Sequence, residues 1–342
     1  MFTRTTDNQR IIHVCQSKLT PMRLALPRWL DPFVLGILFF LVIGLTIPLP
    51  DAVLHALSVA KWWGIVILFF LYGARLHTKE VLSGLTNWKL QGAIVLATFV
   101  VFPLLGKGIT LVAEPLMGAA LTMGMMFVCL LPSTVQSSVT FTSVAKGNIA
   151  GAVCAATAST LLGMFVTPLL AFMVLGTHGS TGAAGFLGVI KQILIPFIIG
   201  HLCERWIGQR VRRHKLMLKW WDQSVIWLVV LTAMAESVRE NVWSGVDATS
   251  LLVMMMVCLI ILLVMLAITW YSGSVLKLPY GDRVALLMCG SKKSLATGLP
   301  LAGAIFTPAV AAGVAVPLIV FHALQLVACG LIASSLARSH AA

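Results

Sequence analysis

Residues 249–270, TSLLVMMMVCLIILLVMLAITW, run for 22 positions without a charged side chain. At about 1.5 Å of rise per residue, a helix of that length crosses a hydrocarbon core of roughly 30 Å. A membrane interior offers no water to backbone amides, so the segment must satisfy its own N–H and C=O groups, which an unalternating apolar run does as a helix. Composition extends the argument to the whole chain: of 342 residues, 59% are hydrophobic and only 10% charged. That balance excludes an ordinary soluble globular domain.

Ten stretches carry the pattern, at about 33–49, 61–76, 92–112, 117–146, 148–175, 184–203, 219–236, 249–271, 282–306 and 308–335. The net charge of +13 comes from 24 Lys and Arg against 11 Asp and Glu. The basic residues form no face with interleaved aromatics, so nucleic acid is not an expected partner. They sort by topology instead. With the N-terminus cytoplasmic, 18 fall on inner segments and only Lys61, Lys107, Lys191 and Arg239 on outer ones, leaving the pair Lys292 and Lys293 inside a span. By the positive-inside rule this predicts a multi-pass protein of the inner (plasma) membrane with both termini cytoplasmic and the lipid bilayer as its surroundings. Residues 1–29 read as a basic, disordered segment with no signal-peptide core.

The chain also repeats itself. DPFVLG at 31–36 returns as IPFIIG at 195–200, and VTPLL at 166–170 returns as AVPLI at 315–319. Between these pairs, LPSTVQSS at 131–138 and CGSKKS at 289–294 occupy corresponding places. Matches in one order predict a duplication, with a first half at 30–175 and a second at 176–340. Five spans per half is odd, so the halves insert in opposite orientations, which is the inverted-repeat plan of secondary transporters.

Two spans carry polar residues at mid-length. The fourth holds Ser133, Thr134, Gln136, Ser137 and Ser138 just after Pro132, and the ninth holds Gly290, Ser291, Lys292, Lys293 and Ser294. Proline removes a backbone donor, and non-helical backbone at that depth persists only where protein or a water-filled cavity satisfies it. Both spans are therefore expected to be broken near the midplane and to meet there.

These residues resemble the bile acid:sodium symporters over nearly the whole chain. The resemblance rests on LYGARLHTKEVLSG (71–84), VVFPLLG (100–106), the long stretch from LLPSTVQSS to VTPLL (130–170), CGSKKSLATGLP (289–300) and FHALQL (321–326). It implies an all-α fold of ten transmembrane helices, in which spans 1, 2, 6 and 7 form a panel domain, the other six form a core, and broken helices 4 and 9 cross in that core. It also implies substrate binding in the cleft between the domains. In the sodium-coupled members a Ser-Asn pair and an E-x-G-x-Q-N pattern supply ion ligands. Here the pair falls on Ser137 and Ser138, the glutamate on Met288, the glutamine on Lys292, the asparagine on Lys293, and a third-span ligand on Thr98. The carboxylate is missing and ammonium groups stand in its neighbourhood, so two ordinary sodium sites are not expected.

A lysine ammonium can instead fill the place of a bound cation, donating to Ser, Thr and carbonyl oxygens. If helical spacing holds, Lys292 shares the face of Met288 and is the tethered cation, while Lys293 turns toward the cleft to bind an anion. Both could alternatively snorkel toward water. A buried lysine can also give up its proton, which leaves a proton as a coupling ion beside an uncertain sodium. His322 and Gln325, three apart in the tenth span, are candidates for the cleft lining. No nucleophile elbow, zinc motif or phosphate loop is present, so neither enzyme, metal centre nor cofactor is expected. The seven cysteines contain no CxxC pair and read as buried apolar residues. Two function classes remain: a carrier of a small organic anion working by alternating access, and a non-transporting membrane regulator on the same scaffold.

Overall fold

A computed structural model describes residues 32–75, 87–175 and 187–339, which are mostly helical with no strand among them. The basic N-terminal segment lies outside the described residues. Helix α1 is Pro32–Thr46 and α2 is Asp51–Ala74. Helix α3 is Trp88–Met117, followed across Gly118 by α4, Ala119–Leu130. Gly118 has φ 77°, a left-handed conformation that a side chain would resist. Then come α5, Gln136–Val144, and α6, Ile149–Leu175. Helix α7, Leu187–Leu202, bends by 97° into α8, Glu204–Arg213. The rest are α9, Lys215–Arg239; α10, Ala248–Val275; α11, Tyr280–Gly290; α12, Leu295–Ile305; and α13, Pro308–Ser339.

Five of these helices, α2, α3, α6, α10 and α13, are each long and apolar enough to cross a membrane. The uncharged run at 249–270 lies wholly within α10. Large apolar side chains such as Phe39, Val112 and Leu263 point outward, where only lipid would accept them in such numbers.

With lipid outside, helices gain little from hydrophobic burial and associate where small residues bring backbones together. Helix α2 packs on α7 in this way: a Cβ at Gly73 would strike the Phe197 carbonyl, and one at Gly200 the Phe70 carbonyl. Helix α9 packs on α1, α2, α12 and α13, and α4 packs on α13. At one end of the bundle Asn87 and Asn148 cap the starts of α3 and α6, accepting from Leu90 N and Gly151 N. Each donates its side-chain amide, at 2.7 Å, to the buried carboxylate of Asp282 in the first turn of α11. One carboxylate thus ties together the starts of three helices.

Several expectations shift. The second helix starts at Asp51, ten residues earlier than the sequence suggests, after extended Pro50. Lys61 therefore does not mark an outer helix end; it is buried well inside α2, on a face with Ile65 and Leu68. The seventh expected span, 219–236, is α9, which begins at Lys215 and ends at Arg239, longer than the hydropathy pattern. Cys129, Cys154, Cys203, Cys258, Cys289 and Cys329 are free thiols, and Cys15 lies outside the described residues.

Candidate binding site at the two helix breaks

Helix α4 stops at Leu130 and α5 starts at Gln136, while α11 stops at Gly290 and α12 starts at Leu295. The segments between, 131–135 and 291–294, are non-helical and lie against each other, with Ser294 N donating to Pro132 O at 2.9 Å. Each helix end leaves carbonyls without intrahelical donors, and each must be answered locally because no water reaches a buried site.

For α11 the answer comes from the first break. Ser133 donates its hydroxyl to Cys289 O at 2.5 Å, and Ser138 donates to Met288 O at 2.9 Å. Thr134 shares hydrogen bonds with the hydroxyls of Ser137, at 2.7 Å, and Ser138, at 2.9 Å. Ser291 turns back onto Leu287 O. Gly290 packs so closely on Thr269 that a Cβ would lie 2.9 Å from its methyl group. Ser294 caps α12, accepting from Thr297 N and contacting its hydroxyl at 2.8 Å.

For α4 the answer is a lysine. Lys293 Nζ donates to Cys129 O at 2.8 Å, Leu131 O at 2.7 Å and Thr98 O at 2.9 Å. Cys129 O is a C-terminal carbonyl of α4 and Leu131 O belongs to its C-cap, where the helix dipole favours a cation. The third is free because of a π turn at Ala97–Val101: Phe102 N bonds back to Ala97 O, and the next residue, Pro103, has no N–H to offer Thr98 O. With the Phe102 ring 4.1 Å from Nζ, the ammonium has used all three donors and is fully enclosed.

Lys292 turns the other way. Its Nζ makes one hydrogen bond, to Ser137 O at 3.1 Å, and lies 4.2 Å from the centre of the Phe141 ring. It too is fully buried, but two of its N–H donors remain uncommitted. The geometry reverses the expected placement: Lys293, not Lys292, has its Nζ enclosed by three carbonyls. The reason is local. Helical spacing does not run through 291–294, so the two side chains are not tied to the helical offset and turn to different helices.

The other candidates divide. Thr98 contributes its carbonyl, while its own hydroxyl is buried with no partner. Gln136 is exposed at the start of α5 and stays out of the cluster. His322 is half-buried, with Nδ1 2.8 Å from Gln325 Nε2. Gln325 is the more central of that pair, because its side-chain amide bonds both Lys293 N and Lys293 O at 2.8 Å and so fixes the backbone between the breaks.

A stripe on α6 escaped the sequence reading. Ser159 accepts from Ser133 N, Gly163 leaves room for Pro132, and Thr167 donates to Leu130 O. Their spacing of four, small or hydroxyl-bearing in an apolar helix, was the available signal.

Residues 31–338 match the SBF-like CPA transporter family (DUF4137). An uncharacterized protein of Pseudomonas aeruginosa is 39% identical over 315 residues, 91% of this chain and 95% of its own. YfeH of Escherichia coli K12, named as a candidate symporter, is 36% identical over 307 residues, 90% of this chain and 92% of its own. The sodium/bile acid cotransporter 7 of Danio rerio is 27% identical, covering 80% of this chain and 82% of its own. With apolar helices that can cross a membrane and a family match over nearly its full length, the chain belongs to the SBF-like CPA transporter family.

Proposed function

We propose that the protein is a secondary carrier of a small organic anion, working by alternating access without an ordinary sodium requirement. The observation that carries this is the Lys293 ammonium, held by three carbonyls where α3, α4 and the second break converge. Lone-pair oxygens gathered in a dry site call for a cation, and here the chain supplies its own. Lys292, with donors to spare, is the group offered to a substrate anion. Helices α5 and α12 both begin at the breaks, so their positive ends serve the same charge.

Both lysines are sealed from solvent, so a ligand reaches Lys292 only if packed helices separate. The movement fits a panel of α1, α2, α7 and α9 against a core of the remaining spanning helices, with Ile65 and Val229 of the panel meeting Gly303 of α12 across the boundary. In this reading the chain forms ten spans as two inverted repeats, 30–175 and 176–340, with both termini cytoplasmic.

Two measurements test it. Purified protein should show no saturable binding of radioactive sodium, and proteoliposomes should take up a labelled organic acid from a defined mixture at the same rate in sodium and in choline. A saturable sodium site would defeat the tethered-cation reading, and binding of an acid without turnover would point to a non-transporting regulator.

A further inference from the structure

We infer that helix α8 and the start of α9 form a binding site for the headgroup of anionic phospholipid. The 97° bend after Leu202 places α8 at right angles to α7, so when α7 spans the bilayer α8 lies along its surface. Glycine at 208 lets α8 sit directly on the end of α2, since a Cβ there would approach the Ala74 carbonyl to 2.8 Å. The helix is thereby braced on the bundle and its outer side is presented to the bilayer.

That outer side carries two chemistries in one place. Trp206 and Trp220 are 62% and 53% exposed, and exposed Leu202, Leu216 and Met217 continue the apolar belt. Indoles with one apolar and one polar edge settle at the level of lipid headgroups. Contrary to the expectation from sequence, basic residues here do share a face with aromatics: the exposed cations Arg205, Arg210, Arg213, Lys215 and Lys219 stand among them, with the Arg205 guanidinium 3.9 Å from the centre of the Trp206 ring.

Charge bookkeeping separates these cations from ordinary ion pairs. Among the described residues, acids of this end are engaged elsewhere: Glu204 by Arg212 at 2.7 Å, Asp222 by Arg75 at 3.0 Å, and Asp282 by two asparagines. None of the five exposed cations has an acidic partner among the described residues. Guanidinium groups fork to phosphate oxygens, and an interfacial helix with basic and aromatic residues holds anionic lipid by the two effects together. Topology alone asks only that cations be on this side; the exposed indoles and the braced helix place them at headgroup depth.

The test uses the intact protein in vesicles of phosphatidylcholine with a minority of phosphatidylglycerol, one or the other carrying brominated acyl chains. Trp206 emission is isolated as the difference between wild type and Trp206→Phe. Brominated phosphatidylglycerol should quench it several-fold more strongly than its share of the lipid warrants, with the preference falling as salt rises. Each cation near an anionic surface is worth about fivefold in partition, so Arg205→Gln with Arg210→Gln and Arg213→Gln should abolish the preference. Changes at the same end but outside α8 and α9, Lys277→Gln with Arg338→Gln, should leave it intact. Quenching in proportion to bulk composition, or a preference that survives the triple change in a normally folded protein, overturns the inference.

Discussion

Replacing Lys292 and Lys293 one at a time by methionine separates a caged ammonium from one with donors to spare. Removing either charge relieves the cost of keeping an ammonium out of water, several kcal/mol for a buried ion. Both residues are fully buried and each sits about 4 Å from one aromatic ring, so those contributions nearly cancel between the two variants. What remains is the count of carbonyls left without a partner: Thr98, Cys129 and Leu131 for Lys293→Met, Ser137 alone for Lys292→Met. At about 1–3 kcal/mol for each orphaned buried acceptor, Lys293→Met should be the less stable by about 2–6 kcal/mol. In a chain of this size about 1 kcal/mol moves the midpoint by about 2 °C, so thermal unfolding in detergent should separate the two variants by at least about 4 °C. Equal midpoints, or Lys292→Met the lower, would refute the assignment of Lys293 as the structural cation.

Gln325→Met keeps the bulk of the side chain but orphans Lys293 N and Lys293 O, so it should destabilise by about 2–6 kcal/mol, read as a fall in the detergent unfolding midpoint. Asp282→Ala leaves the amides of Asn87 and Asn148 unanswered, and should increase hydrogen exchange at the starts of α3, α6 and α11 while α9 stays protected. Gly200→Val drives a side chain into the Phe70 carbonyl, so α2 and α7 must part, and the yield of folded protein in a membrane fraction should fall sharply.

What could be read from the sequence follows from the range of the forces involved. A helix in lipid is dictated by its own composition, so the uncharged run of α10 and the polar interruptions between α4 and α5 and between α11 and α12 were visible locally. Lys61 was misplaced because a lone lysine in an apolar run reads as a helix end, whereas extended Pro50 starts α2 ten residues earlier. The capping stripe on α6 was hidden for another reason: Ser159, Gly163 and Thr167 are ordinary in an apolar helix until the partner backbone at 130–133 is known.

The adjacent lysines show where local reasoning stops and what lies beyond it. Spacing was projected through 291–294 as if the helix continued, but the choice of cage was made nearly two hundred residues away, by Pro103 freeing the Thr98 carbonyl. That acceptor and the end of α4 receive Lys293, and its neighbour, freed from helical spacing, reaches α5 instead. A single ammonium could not serve both purposes, because holding two helix breaks closed uses every donor it has. Two adjacent lysines divide the contacts: Lys293 ties the second break to α3 and the end of α4, and Lys292 reaches α5 with two N–H donors left open.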